Sequence, residues 1–561
     1  MVHSKRNSFE SCAHQPQTKE PDLKSPSPSV PVENSIEATK QKSEPVEIEE
    51  IQYLTGIKLV MLVSALTLVN FLTLLDLTII VTAIPSITSQ FHSLKDLGWY
   101  GSAYQISGAC IQPLTGNIYT HFSSKWTYLS FLFIFELASL LCGIATSSKM
   151  LIIARAIAGV GSAGLNSGAL TILSASVPLR KSPSLIGAMM GFSQLGHVIG
   201  PLLGGSLTEY TTWRWCFYIN LPIGVIAVLL TIFIHIPDQA TKIPHESAAQ
   251  TILHKLDLVG FILFAAASIQ FLLALDYGGS QYSWSSATVV GLFCGAGTAC
   301  AILLLWEYRK GDSALIPLSM ISKLTVWSSC LMLMSLFGMT VSESYYLPIY
   351  FQAIRNDSPM MSGVFMLPSI LSQLVFAILS GVLIGKLGYY WPWGIFCAVV
   401  TSIGNGLMST WKPDTPTAKW VGHQILVGVG RGAGFQLPPI AAQNTLPLSQ
   451  IPVAMSLLMF SQTLSGAVCL TLADIVFSGG LKSLISEYAP NVNPQTIIDS
   501  GAGGIRNVVS GQDLIGVIKA YSESVDHVFY MTAALGACCI LFVPGMGWKD
   551  IRNKASSLGQ A

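Results

Sequence analysis

A chain of 561 residues that is 51% hydrophobic and only 11% charged is far from a soluble globular composition, in which about 25% of residues are charged. The formal net charge of +1 offers no basic face to nucleic acid and no acidic face to a cationic partner. Ten of the eleven cysteines stand in or beside apolar stretches, as small buried hydrophobes rather than a disulfide framework or a zinc site.

Residues 1–50 are rich in Ser, Pro, Glu and Lys and poor in aromatics, so they cannot bury enough apolar surface to offset their ordering entropy. A disordered tail is expected there. No short apolar stretch with a cleavage site precedes the first apolar run, which would itself have to act as the targeting signal. From residue 59 onward, apolar runs of about twenty residues recur, each able to cross a ~30 Å hydrocarbon core. Seven fall at 59–84, 99–118, 126–145, 151–173, 185–207, 215–236 and 258–275, and seven more at 287–305, 327–349, 361–384, 390–410, 421–441, 453–477 and 529–548.

Fourteen crossings put both tails on one side. The short loops on that side hold more Lys and Arg (Lys125, Arg180, Lys181, Lys310 and Lys386 among them) than the opposite loops. The positive-inside bias then makes that side cytoplasmic. The expected organisation is a cytoplasmic tail at 1–50, a six-helix bundle at 57–238, two inserted helices at 256–308, a second six-helix bundle at 324–548 and a second tail at 549–561. A Gly-rich outer loop is expected at 478–526. The sequon Asn356-Asp357-Ser358 is a weak glycosylation candidate, because Pro359 follows it,.

The two bundles share short strings. Gly159-Val160-Gly161 returns as Gly428-Val429-Gly430, and Phe192-Ser193-Gln194 as Phe460-Ser461-Gln462, in both cases roughly 268 residues later. Duplicated halves suit alternating access, in which two bundles rock about a site near the midplane.

Within the spans, Asp76 lies roughly 12 Å below the outer end of the first helix and Arg155 about 6 Å below the outer start of the fourth. Such charges are costly in lipid and mark ion paths. At these depths Arg155 can reach Asp76 and hold it ionised. The repeat carries Asp76 onto Glu343, which gives a proton-coupling set of Asp76, Arg155 and Glu343. Glu136 and Arg431 are further intramembrane charges, for which pairing with neighbouring helices is the default reading. In the fifth helix Gly196, Gly200 and Gly204 share one face, with Gly205 beside them, and Pro201 is expected to bend the helix. Gln105, Asn166, Gln194, Tyr345, Gln436 and Gln462 are the polar and aromatic candidates for a substrate cavity.

Gly196-His197-Val198-Ile199-Gly200-Pro201-Leu202-Leu203-Gly204-Gly205 resembles the antiporter motif of the major facilitator superfamily. Arg155 to Gly164 resembles its fourth-helix motif. Leu75 to Pro85 resembles the first-helix motif of the fourteen-helix drug:proton antiporter branch, and Trp213 to Pro222 the boundary before helix six. Fungal exporters of toxins and secondary metabolites are closest in pattern. The resemblance implies an all-α membrane protein of the major facilitator fold, with two six-helix bundles plus two inserted helices. It also implies proton-coupled efflux of a small organic substrate, with protons and the lipid bilayer as the other partners. One departure stands out: the loop that usually reads G-x-L-x-D-R-x-G-R-R here runs from Gly116 to Lys125 with Thr120 at the Asp position.

Gly159 to Gly164 fits G-x-G-x-x-G but lies inside an apolar helix with no strand before it, so it is not a dinucleotide site. There is no phosphate loop, no metal-ligand spacing and no nucleophile constellation. The chain is therefore expected to be no enzyme, to need no cofactor or metal, and to work as a monomer in the plasma membrane. The alternatives are a vacuolar address, an importer of amino acids or iron chelates, or a non-transporting nutrient receptor of the same fold.

Overall fold

A backbone in hydrocarbon must satisfy its own hydrogen bonds, and a helix does so within one segment. The structure, a computed structural model, describes residues 53–92, 96, 98–238, 255–279 and 281–553. Helices dominate, and among these residues there is no β-strand, only the isolated bridges Gly278–Tyr282 and Tyr389–Asp550. The tail expected at 1–50 and residues 554–561 lie outside the described residues.

The first set of helices is α1 (Gly56–Phe91), α2 (Trp99–His121), α3 (Ser124–Gly143), α4 (Ser148–Ser176), α5 (Ser182–Ser193), α6 (Leu195–Tyr210), α7 (Trp215–Tyr218) and α8 (Asn220–Ile232). Next come α9 (Leu258–Tyr277), α10 (Ala287–Lys310) and the short α11 (Leu318–Ile321). The last set is α12 (Leu324–Ile349), α13 (Pro359–Val364), α14 (Leu367–Leu387), α15 (Trp391–Met408), α16 (Thr417–Gly434), α17 (Leu437–Thr445), α18 (Ile451–Tyr488), α19 (Pro494–Val508) and α20 (Gly511–Phe542). Among the described residues, 11 helical segments are long and apolar enough to cross a membrane. The other three expected spans fall on α2, α15 and α16, whose polar residues dilute their hydropathy.

Local chemistry sets several boundaries. The Ser147, Asp257, Ser286 and Ser358 side chains accept backbone N–H groups at the starts of α4, α9, α10 and α13, satisfying donors that a helix start leaves unpaired. Arg214 donates to the Gly143 and Ala145 carbonyls at 2.8 and 2.7 Å, closing the C-terminal end of α3. Gly388 ends α14 at φ 86°, a left-handed conformation that glycine adopts without penalty.

The repeated Gly-x-Gly strings do equivalent work. A Cβ on Gly159 would strike the backbone of α2 at Tyr104, and one on Gly161 that of α3 at Phe135. On α16, Gly428 meets α14 at Ser369, and Gly430 meets α15 at Thr401.

Both ends of the described chain sit at one end of the helical body. Leu54 donates to the Ser176 carbonyl at 2.9 Å, and Ile551 donates to Gly388 at 2.9 Å. At this tail end the two sets of helices are sealed together. Ser182 donates to Gln443 at 3.0 Å and Arg180 to the Gly385 carbonyl at 3.1 Å. Gly116 and Gly381 admit Val453 and Ser184 where a Cβ would leave no room. The base of the inserted pair is tied in as well. Asp257, 1% exposed, accepts from Trp306, Lys310 and the Leu315 N–H at 3.0–3.1 Å. The Leu315 carbonyl accepts from Asn117 at 3.1 Å.

Two expectations are corrected. The helical break in the fifth span falls at Gln194, between α5 and α6, while α6 runs through Pro201 as one helix. The interruption in helical pattern thus precedes the proline by seven residues. The segment 478–526 is not a loop: α18 continues to Tyr488, and α19 and α20 follow with short connections. Leu481, Ile485, Ile497, Ile505, Val517 and Tyr521 are buried there with Trp411 and Trp420. Apolar residues at helical spacing outweigh the glycine content.

Candidate functional site

The depths of Asp76 and Arg155 foretold a meeting, and the structure makes it. Arg155 Nη1 lies 2.5 Å from Asp76 Oδ2, and both residues are 0% exposed. Each charge has further support. Asn220, at the start of α8, donates to Asp76 Oδ1 at 3.0 Å and to Ser139 at 3.2 Å. Arg155 Nε donates to the Tyr100 carbonyl at 3.0 Å, and the guanidinium sits over the Tyr104 ring at 4.5 Å. A buried charge is tolerable only when paired and hydrogen-bonded. Five helices contribute (α1, α2, α3, α4 and α8), so their relative positions decide whether the pair can exist.

Glu343 is not part of this cluster. It forms a second buried pair, its Oε2 3.0 Å from Arg431 Nη1. The repeat places Gln424, not Arg431, opposite Arg155. Arg431 lies seven residues further along α16, two turns on and on the same face. Each set of helices thus holds one acid–arginine pair, built with different register.

The glycine face expected on α6 packs on α1. Gly196 approaches Phe71 and Leu75, Gly200 approaches Thr78 and Ile79, and Gly204 approaches Ile79 and Thr82. Thr78 donates to the Gly196 carbonyl at 2.9 Å. Gly205 has nothing within 4 Å of a built Cβ, so it lies off this contact. Pro201 is exposed. The α6 face is therefore set directly against the helix that carries Asp76.

The cavity candidates scatter. Gln105 lines a cavity of about 160 Å³ between α2, α9 and α18, together with Ser102, Asp276 and Thr463. Asn166 accepts from Thr73 at 3.2 Å, and Gln436 donates to Ser380 at 2.6 Å, so both tie helices together. Gln194 is buried at the break between α5 and α6. Gln462 keeps a shielded Oε1 without a partner, and Tyr345 is exposed beside the buried Tyr346. Asn356 is exposed at φ 64°, and Ser358 of its sequon caps α13.

Asn220, the third member of the Asp76 cluster, is not singled out by sequence reasoning, although it falls inside the Trp213–Pro222 string. Arg431 is legible there as a buried charge, but without its partner. Among the described residues no cluster of His, Cys, Asp and Glu could hold a metal ion.

A family model described as Major Facilitator Superfamily matches residues 66–469. The chain belongs to the major facilitator superfamily. It is a multi-pass membrane transporter and not an enzyme. It is 54% identical to the MFS-type transporter pigP of Monascus ruber, over 94% of each chain. It is 50% identical to the efflux pump mlcE of Penicillium citrinum, over 93% of this chain and 94% of that one. The efflux pump mokI of Monascus pilosus is 48% identical over 91% and 96%. Among solved structures, the human organic anion transporter MFSD10 superposes with a TM-score of 0.54 at 14% identity, covering 87% of this chain and 100% of that one. The proton:xylose symporter XylE gives 0.53 at 13%, covering 88% and 98%. At those identities the likeness establishes the fold.

Proposed function

We propose that this transporter exports a small amphipathic organic molecule, of the secondary-metabolite class, in exchange for protons. The observation that carries the reading is the buried Asp76–Arg155 pair beside the α1–α6 glycine contact. A proton reaching Asp76 neutralises the carboxylate, and the direct ion pair between Asp76 and Arg155 is lost. The link between α1 and α4 then loosens, and α6, which presents glycines to α1, can shift against it with little steric resistance. Relatives named efflux pumps support the outward direction.

The same reading takes α2, α15 and α16 as crossing segments, for fourteen in all. Chain ends on one side require an even number of crossings, which eleven is not. The charge bias makes that side cytoplasmic, the two helix sets are duplicated halves moving by alternating access, and the address is the plasma membrane of a monomeric protein.

The test is a deletion strain in which the cell's own secondary metabolites are measured in mycelium and medium. Retention in the cell and loss from the medium are expected, and re-expression reverses both. Purified chain in proteoliposomes then moves the retained compound only under an imposed pH gradient. Transport that persists after a protonophore collapses the gradient refutes the coupling, and a fall in cellular content on deletion refutes export.

A further inference from the structure

Glu136 stands in the middle of α3, and its carboxyl rests on Gly224 of α8. A Cβ at position 224 would lie 2.9 Å from Glu136 Cγ and collide with the carboxyl itself. Both carboxyl oxygens are shielded from solvent and neither has a hydrogen-bond partner. One turn further along the same two helices stand Ser139 and Asn220, the residues joined to Asp76. Two more shielded atoms in that cluster lack partners: Asn220 Oδ1, an acceptor, and Arg155 Nη2, a donor. An ionised carboxylate with no donor would be the most costly group in this part of the membrane, whereas a protonated one is neutral and can donate.

The other groups around Glu136 do not supply a counter-charge. α8 carries no titratable side chain. On α7, Cys216 is turned to Thr208 and Tyr218 to Gly143. On α4, Lys149 is exposed at the far end, which leaves Arg155, already engaged with Asp76. On α2, Tyr104 lies under Arg155 and Tyr119 is stacked on Phe131.

We infer that Glu136 is a second proton-binding site, sharing one proton with Asp76 around the single cation Arg155. With Asp76 ionised and paired, Glu136 carries the proton. When the proton passes, the O–H bond on Glu136 breaks and one forms on Asp76. Arg155, with its unpartnered Nη2, then has the Glu136 carboxylate as counter-ion. The cluster keeps zero net charge in both arrangements, so the transfer buries no uncompensated charge. Gly224 provides the space for the carboxyl. The role in transport rests on the proposed coupling at Asp76, but proton binding can be measured without any transport.

The experiment is infrared titration of the full chain in phospholipid vesicles, following the C=O stretch of protonated carboxyl groups in the wild type, Glu136→Gln and Asp76→Asn. The expected result is a wild-type band that Glu136→Gln removes. In Asp76→Asn that band remains, but its midpoint moves at least about one pH unit lower, a tenfold weaker hold on the proton, because Arg155 now favours ionised Glu136. Dicyclohexylcarbodiimide, an apolar reagent for protonated carboxyls, is expected to label Glu136 in peptide maps of the wild type. A wild-type spectrum without the Glu136 band, or a midpoint that Asp76→Asn leaves in place, overturns the inference. Loss of proton-driven efflux in Asp76→Asn with no Glu136 band would sink this inference alone. An intact band with full efflux in Asp76→Asn would sink the coupling reading alone.

Discussion

Replacing Asp76 with Asn separates the structural role of the buried pair from its proposed coupling role. The substitution keeps the shape and the contact with Asn220, but leaves Arg155 as a charge with 0% exposure. Removing one partner of a buried pair costs about 3–5 kcal/mol. Arg155 retains its bond to the Tyr100 carbonyl and the Tyr104 face, and the latter contact is worth up to ~2 kcal/mol when desolvated. A net loss of roughly 1–3 kcal/mol is therefore expected. Arg155→Met alone leaves Asp76 with the Asn220 donor and able to take up a proton, and is expected to cost no more than Asp76→Asn. In the double variant Asp76→Asn/Arg155→Met no charge remains, and stability should return to within about 1 kcal/mol of wild type. Thermal unfolding of the three purified variants in detergent, run beside gradient-driven efflux in proteoliposomes, gives both readouts. The double variant should be stable yet unable to couple. Wild-type efflux by it would refute the coupling role, and additive losses of stability would refute the pairing.

The α1–α6 contact predicts that Gly200→Ala, whose methyl meets Thr78 and Ile79, destabilises by about 1–3 kcal/mol and slows transport. Gly205→Ala, with nothing within 4 Å, should leave thermal unfolding unchanged. Asp257→Asn weakens a hub holding Trp306, Lys310 and Leu315 and should cost roughly 2–3 kcal/mol by the same unfolding assay. Among the described cysteines Cys294 and Cys300 are exposed, in the apolar span α10; a thiol facing hydrocarbon stays protonated and unreactive, so a charged maleimide should leave both unmodified in intact vesicles and label them only after unfolding, as peptide maps show.

Much of this protein could be read from its sequence because a bilayer imposes its own length and polarity on each span. Depth along a helix is arithmetic, so the meeting of Asp76 with Arg155 followed from residue count, and the face of Gly196, Gly200 and Gly204 followed from spacing. Rotation about a helix axis is not fixed that way. Which side chain of α8 would face Asp76, and whether Glu343 would find Gln424 or Arg431, depend on packing among several helices. Glu136 shows the same gap: its charge was visible, but the seat made by Gly224 on another helix was not. The helices between 478 and 526 are obscured for a different reason: frequent glycine reads as a loop, although Leu481 and Ile485, and Val517 and Tyr521, keep a four-residue helical spacing.

That segment gives the molecule a lever. α18 is 38 residues in one helix, a rod of about 57 Å, so a tilt of about 15° around its midpoint swings its end by roughly 7 Å. α19 and the start of α20 share a buried core with that end, and the same core takes in Tyr350, Trp411 and Trp420, so a tilt of α18 would be felt by all of them. Under the proposed alternating access, small rotations of this helix would be magnified into displacements at that end, where a pair of distance probes would follow them without touching the pathway.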